Sequence, residues 1–217
     1  MLSEKNILMF KITIINYGAG NLLSVKNMLQ KAGAREVLIS NQPKDIESAD
    51  KLILPGVGHF DYGMKKLNES GLIPTLTKQV LEQKTPILGI CLGAQLMTKS
   101  SEEGNSEGLG WVEGKTISFD KSKLPSNYKV PHMGWSEVTV NKTVDLFKDM
   151  PENPRFYFVH SYHLQMENPK DVWLSAVYGY DFCAAYQHGN IYACQFHPEK
   201  SHKFGLQIMK NFIALQP

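Results

Sequence analysis

Residues 86–99 read PILGICLGAQLMTK. Residues 86–90 are a short, wholly apolar run, the mark of a strand buried on both faces. Residues 93–99 take up a helix directly after it. A buried strand that passes straight into a helix belongs to an α/β sheet. At the junction, Gly89-Ile-Cys-Leu-Gly93 has the shape of a nucleophile elbow with cysteine in place of serine. Small residues let the backbone double back there, which leaves the Cys91 thiol exposed above the carboxyl end of the strand. The helix N-terminus beneath it favours the thiolate, and the Leu92 amide is placed to donate to an oxyanion. Most cysteines are plain apolar filler. Cys183 and Cys194 lack any such setting and read that way.

Upstream of this junction the same alternation repeats. Residues 11–16 (KITIIN) form a first strand rich in β-branched side chains. A turn follows, then a helix over 21–32 with Leu22, Val25, Met28 and Leu29 on one face. Residues 36–40 and 51–54 are further strands, and 64–67 and 73–81 are helical pieces. Apolar strands alternating with helices imply a parallel sheet covered on both faces. Downstream the pattern changes to strands joined by short turns, at 112–119, 136–140, 156–159, 173–177, 183–187 and 191–196. An amphipathic helix over 203–215 closes the chain. The expected fold is a three-layer α/β domain with an added antiparallel portion. No linker divides it, so residues 1–217 form one domain, with 1–10 as a short N-terminal extension.

Phe196-His-Pro-Glu199 ends a strand. Pro198 disfavours helical torsions at His197 and holds it extended. Residues two apart in an extended segment project to one side, so Glu199 approaches the His197 imidazole. A carboxylate there fixes the tautomer and stabilises the cation. His197 can then take the thiol proton and later return it to a leaving amine. Alone, a histidine at a strand end is often only a surface residue; the elbow cysteine gives it a partner. The loop Pro55-Gly-Val-Gly58 follows another strand, and its glycines allow close approach of a ligand. The Val57 amide is a second candidate oxyanion donor, set against an ordinary glycine turn.

Composition narrows the rest. The chain of 217 residues is 42% hydrophobic and 20% charged, enough for a full core and unlike a disordered polymer. A net charge of +2 with no block of lysine or arginine argues against nucleic acid or a membrane as the main partner. The apolar runs are too short to span a bilayer. The first nine residues carry Glu4 and Lys5 and lack a small-residue cleavage site, so they do not read as a signal peptide. Three cysteines with no paired spacing fit a reducing cytoplasm. Gly18-Ala-Gly20 begins like a dinucleotide fingerprint, but Leu23 replaces the third glycine. His160 and His163 lack further ligands at matching spacing, so no metal and no cofactor is expected. Tyr178, Tyr180, Phe182 and Tyr186 read as core or edge packing.

Taken together, six stretches resemble the class I (triad-type) glutamine amidotransferases. They are 16–21 (NYGAGN), 54–58 (LPGVG), 89–95 (GICLGAQ), 130–135 (VPHMGW), 157–162 (YFVHSY) and 195–201 (QFHPEKS). They run from near the start of the chain to near its end. The resemblance is strongest to the branch that serves histidine biosynthesis. It implies a flavodoxin-like fold and a cytoplasmic glutaminase with Cys91, His197 and Glu199 as its triad and no cofactor. It also implies L-glutamine as substrate, held near Gly56, Gly58, Gln95, Glu103 and the backbone around Ser161. Glu103 would meet the substrate ammonium, against the plain reading of a solvated loop charge. The resemblance further implies a heterodimer with a barrel-shaped synthase that receives ammonia, contacted through Pro131, Met133, Trp135 and Lys200. For Met133 and Trp135 the plain alternative is core. Ala94, Gly108-Leu-Gly-Trp111, Val177-Tyr-Gly-Tyr180 and Ser201-His-Lys-Phe-Gly205 depart from the histidine branch. They keep open a paralogue that feeds a synthase amidinating a surface sugar.

Overall fold

Eleven strands join in one sheet in the computed structural model, which describes residues 10–216. Strands β1 (Lys11–Ile15), β2 (Glu36–Ser40), β3 (Lys51–Gly56), β4 (Ile87–Cys91) and β11 (Ile191–Cys194) pair in parallel, in the order β2-β1-β3-β4-β11. The sheet continues antiparallel through β10 (Tyr180–His188), β9 (Val172–Tyr178), β6 (His132–Val140) and β7 (Arg155–His160). Strand β5 (Gly114–Ser118) pairs with β8 (Tyr162–Met166), which touches β10. The expectation of a mainly parallel centre with an antiparallel addition thus matches the observed order.

Strand alternation sorts the core onto two faces. Ile12, Ile14, Ile53 and Leu88 pack with Val25 and Leu29 of α1 (Leu22–Lys31) and with Ile208 and Phe212 of α6 (His202–Ala214). Ile15, Leu52, Leu54 and Ile87 pack on the other face. They meet Ile46 of α2 (Pro43–Glu47), Phe60, Met64 and Leu67 of α3 (Phe60–Glu69), Leu76 of α4 (Ile73–Thr77) and Leu96 of α5 (Leu92–Leu96). Each such side chain contributes about 1.5–3 kcal/mol on burial, so a one-residue slip of any central strand is heavily penalised. The first helix starts where the Asn21 side chain accepts from Ser24 N at 3.3 Å.

Several boundaries differ from the sequence reading, each for a local reason. Strand β3 does not stop at Leu54; Pro55 and Gly56 stay in register with Ile90 and Cys91. The helix after the elbow covers only Leu92–Leu96. Its end is fixed by the returning loop, where Leu109 N donates to Leu96 O at 2.8 Å and Trp111 N to Met97 O at 3.0 Å. The piece at 64–67 is part of the longer α3, and 73–81 divides into α4 and a π-helical turn at Lys78–Glu82. Strand β8 has no counterpart in the sequence reading. His163 and Gln165 interrupt its apolar pattern, although His163 is buried. The last parallel strand ends at Cys194, before His197. Residues 1–9, most of the expected N-terminal extension, lie outside the described part. No helix among the described residues is long and apolar enough to cross a membrane.

Candidate active site

Three neighbouring strands carry the candidate site at their carboxyl ends. Parallel pairing sets Gly56 beside Cys91 and Cys194 beside Ile90. Segments far apart in sequence therefore meet at one edge of the sheet, the position where open α/β sheets bind ligands. Cys91 ends β4 with φ +53° and ψ −111°, a strained conformation for a residue with a Cβ. The turn closes only because its flanks are small. A Cβ on Gly89 would lie 2.9 Å from the Ala94 backbone, and one on Gly93 would overlap the Leu54 carbonyl. The thiol is not raised into solvent as the elbow reading expects; Cys91 is 7% exposed, at the floor of a cavity. The helix behind it is only five residues long, so its dipole supplies little.

His197 is held by its backbone as well as its ring. Its N donates to Tyr157 O at 2.9 Å, and its carbonyl accepts from Ser201 Oγ at 2.7 Å. Ser201 Oγ in turn accepts from Tyr157 N at 3.0 Å. With φ −101° and ψ 97°, His197 is extended before Pro198. Its Nδ1 lies 2.7 Å from Glu199 Oε1, and both side chains are 2% exposed. Glu199 reaches the ring from the 3-10 turn Pro198–Lys200, not by the pleat of a continued strand. His197 Nε2 has no hydrogen-bond partner among the described residues, nor has Glu199 Oε2. Burial pushes the His197 pKa down, but the adjoining Cys91 sulfur and the Glu199 carboxylate overcome this and raise it to about 10. A cationic imidazole beside a sulfur is the arrangement that sustains a nucleophilic thiolate.

The cavity over Cys91 measures about 170 Å³. Ligand pockets for drug-sized molecules run to roughly 300–1,000 Å³, so this one suits something nearer an amino acid. Val57, Gly58, Leu92, Gln95, Glu103, Ser161 and His197 all line it. Gly56 does not: it lies behind the wall, where a Cβ would come within 2.6 Å of Tyr17 Oη and 2.9 Å of Gly93 N. Gly56 is thus a packing residue that lets β3 and the elbow touch. Tyr17 donates from its hydroxyl to Pro55 O at 2.9 Å, which steadies the segment leading to Val57. Glu103 accepts from Phe60 N at 2.9 Å. Burial pushes its pKa up more than that amide pulls it down, so its charge lacks a full counterpart.

Beside the cavity lies a buried histidine pair with assignable tautomers. His160 Nδ1 must donate to the Tyr162 carbonyl, 2.8 Å away. Its Nε2 then accepts from His132 Nδ1 at 3.0 Å, and His132 Nε2 accepts from Ser136 Oγ at 3.0 Å. His163 donates from Nδ1 to Leu164 O at 3.1 Å and accepts at Nε2 from Tyr180 Oη at 3.0 Å. All ring nitrogens of His160 and His163 are thereby occupied, and no metal-sized group of ligands occurs among the described residues. Burial pushes the His132 pKa down to about 4 and holds His160 well below the usual histidine range. An unfolded chain takes up these protons near pH 6.5 while the folded chain does not. Stability therefore falls as pH drops from about 6.5 to about 4, by about 3 kcal/mol from His132 alone. Urea midpoints at pH 7 and pH 4.5 measure this, and His132→Gln should flatten the dependence.

Of the residues expected at a partner face, Met133 is 63% and Trp135 42% exposed, so neither is core. Pro131 and Lys200 are exposed as well. Trp135 borders a surface groove with Lys31, Arg155 and Lys203. Cys183 and Cys194 are buried, free and apolar in setting. Two functional side chains escaped the sequence reading: Ser201, which clamps the His197 backbone, and Gln195, which reaches Cys91. Gln195 could have been found from its place one residue past a buried strand, level with the nucleophile.

Comparison with known proteins identifies the family. The family model described as glutamine amidotransferase class-I matches residues 13–215. A protein of Methanococcus maripaludis named imidazole glycerol phosphate synthase subunit HisH 2 is 51% identical over 202 residues, 93% of this chain and 98% of its own. One of Pseudomonas aeruginosa with the same name is 47% identical, over 94% of this chain and 99% of its own. Among solved structures, a chain of PurLQS from Thermotoga maritima superposes with a TM-score of 0.70 at 17% identity, covering 95% of this chain and 99% of that one. The CTPS glutaminase domain of Trypanosoma brucei gives 0.65 at 15% identity, with 96% of each covered. At such identities the structures speak for the fold alone.

Proposed function

The chain belongs to the class I glutamine amidotransferase family, and from that premise we propose that it is the glutaminase subunit of an imidazole glycerol phosphate synthase, working in the cytoplasm for histidine biosynthesis. The observation that carries the reading is the buried His197–Glu199 pair beside Cys91 at the floor of an amino-acid-sized cavity. In this mechanism the Cys91 sulfur attacks the side-chain carboxamide carbon of glutamine. A tetrahedral oxyanion forms, faced by the amides of Val57 and Leu92. Protonated His197 gives its proton to the leaving nitrogen, the C–N bond breaks, and ammonia departs from a thioester. Water then attacks the thioester carbon while His197 accepts its proton. The C–S bond breaks and glutamate leaves with the thiolate restored. Glu199 keeps the ring oriented and stabilises its charge throughout. Glu103 supplies the carboxylate that the substrate ammonium needs.

Ammonia protonated in solvent is no nucleophile, so a glutaminase of this kind works docked on its acceptor. We assign the acceptor subunit a barrel fold and place its contact at Pro131, Met133, Trp135 and Lys200. A protruding methionine and tryptophan suit an interface core, and lysines suit its rim. Mixing the chain with the matching synthase should raise kcat/KM for glutamate release by about 5–150-fold, the usual span of coupling between two sites. Trp135→Ala should remove most of that gain and leave the uncoupled rate unchanged. If no candidate synthase alters glutamate release, the coupling is wrong.

A second acceptor has a specific observation behind it. The Methanococcus and Pseudomonas relatives carry the ordinal 2 in their names. Together with the departures at Ala94 and at 177–180, this favours a parallel test with a synthase that amidinates a surface sugar. The synthase that accelerates glutamate release identifies the pathway.

A further inference from the structure

Gln195 is fully buried next to the nucleophile, and its chemistry is not used in the mechanism above. Its Nε2 lies 3.8 Å from Cys91 Sγ, and its Oε1 lies 3.1 Å from Gln95 Nε2. Gln95 Nε2 is also 3.2 Å from the Tyr162 carbonyl, which accepts a second bond from His160 Nδ1 at 2.8 Å. Amide orientation is read from such a network, and here the network has one solution. A backbone carbonyl only accepts, so Gln95 must turn its amino group towards Tyr162. That amino group also meets Gln195, which must therefore present its oxygen. The Gln195 amino group is left facing the sulfur. Register enforces the contact, because pairing of Cys194 with Ile90 brings the next residue of each strand level.

We propose that Gln195 is a further catalytic residue, whose side-chain N–H holds the Cys91 sulfur in its thiolate form and is aimed by a one-way relay from the Tyr162 carbonyl through Gln95. The inference rests on Cys91 being the nucleophile. A donor aimed at sulfur favours the anion over the thiol, because the thiol needs no such partner. It helps in both halves of the reaction. The same N–H that readies the thiolate for attack receives it again when the thioester opens. The relay also ties substrate to nucleophile. With its amino group committed twice, Gln95 has only its carbonyl oxygen to offer glutamine. A donor from the substrate on that oxygen polarises the Gln95 amide, and through it the Gln195 amide, in the same direction.

The test is alkylation of Cys91 by iodoacetamide at pH 7 in the full chain, with the modified residue located by mass spectrometry. Gln195→Leu removes the donor at similar volume. Gln195→Glu keeps an acceptor for Gln95 but turns a carboxylate towards the sulfur. Both variants should alkylate about ten- to a hundredfold more slowly than wild type, the worth of one hydrogen bond to a charged group, with Gln195→Glu the slower. Glutaminase kcat should fall in parallel while KM stays within about twofold, a split that general loosening of the fold does not produce. Should Gln195→Leu fail to fold, Gln195→Glu still decides. Variants that alkylate as fast as a fast wild type overturn this inference alone. A wild-type Cys91 no more reactive than free cysteine overturns it together with the nucleophile assignment.

Discussion

Cys91→Ala should reduce glutamate release about ten-thousandfold or more while leaving the fold in place. The sulfur makes the only covalent bond to substrate in the proposed reaction, and neither neighbouring cysteine can replace it. Cys183 and Cys194 are both buried away from the cavity lining, and burial pushes both thiols well up from the usual range. A coupled assay of glutamate measures the loss, and a variant within tenfold of wild type would overturn the assignment. A companion substitution separates chemistry from conformation. At φ +53° a side chain is strained, by about 1–3 kcal/mol for such a backbone. Alanine retains that strain and glycine releases it. Cys91→Gly should therefore be more stable than Cys91→Ala by about 1–2 kcal/mol in urea, although both are inactive. Equal stabilities would mean that the elbow stores no strain.

Gly93→Ala should be among the most damaging single-methyl additions, costing about 3–5 kcal/mol. The new Cβ would fall on the Leu54 carbonyl, with the Leu54 and Pro55 carbonyl carbons close behind. These are backbone atoms of a strand whose Leu54 pairs with Gly89, so nothing flexible is available to move aside. Relief would require β3 and β4 to separate at the place where Val57 and Cys91 must meet. Glutaminase activity should be lost together with stability, in contrast to Cys91→Ala. A thermal midpoint within about 2 °C of wild type would mean that the elbow is looser than this packing implies.

The parallel half of the fold was legible because it is made of periodic segments. Residues 11–16, 36–40 and 86–90 are apolar and β-branched enough to declare themselves, and the glycines around Cys91 have no other explanation than a tight turn. The candidate triad was legible for a different reason: the elbow around Cys91 and the proline between His197 and Glu199 are local constraints that can be read without neighbours. What escaped the reading is what depends on pairing. Strand β8 is hidden by His163 and Gln165: His163 is buried because Tyr180 Oη meets its ring, and Gln165 faces outward. The extension of β3 through Pro55 and Gly56 exists only because Ile90 and Cys91 lie alongside. Gln195 and Gly56 were misjudged for the same cause. One was unassigned and one was taken for a ligand contact, since neither has a sequence signal that separates a wall from the space behind it.

Every strand from β5 to β10 enters the chain between β4 and β11, yet β4 and β11 are direct neighbours. The strand that carries the nucleophile and the strand that leads to its base therefore meet at a joint that residues 92–190 do not pass through. Evolution can resurface the outer face of that excursion, which carries Met133 and Trp135, while the residues within it that serve the site, Leu92, Gln95, Glu103 and Tyr157 among them, stay in place. A lineage could exchange one ammonia consumer for another by rewriting that outer face alone, and keep an unaltered reaction centre as it did so.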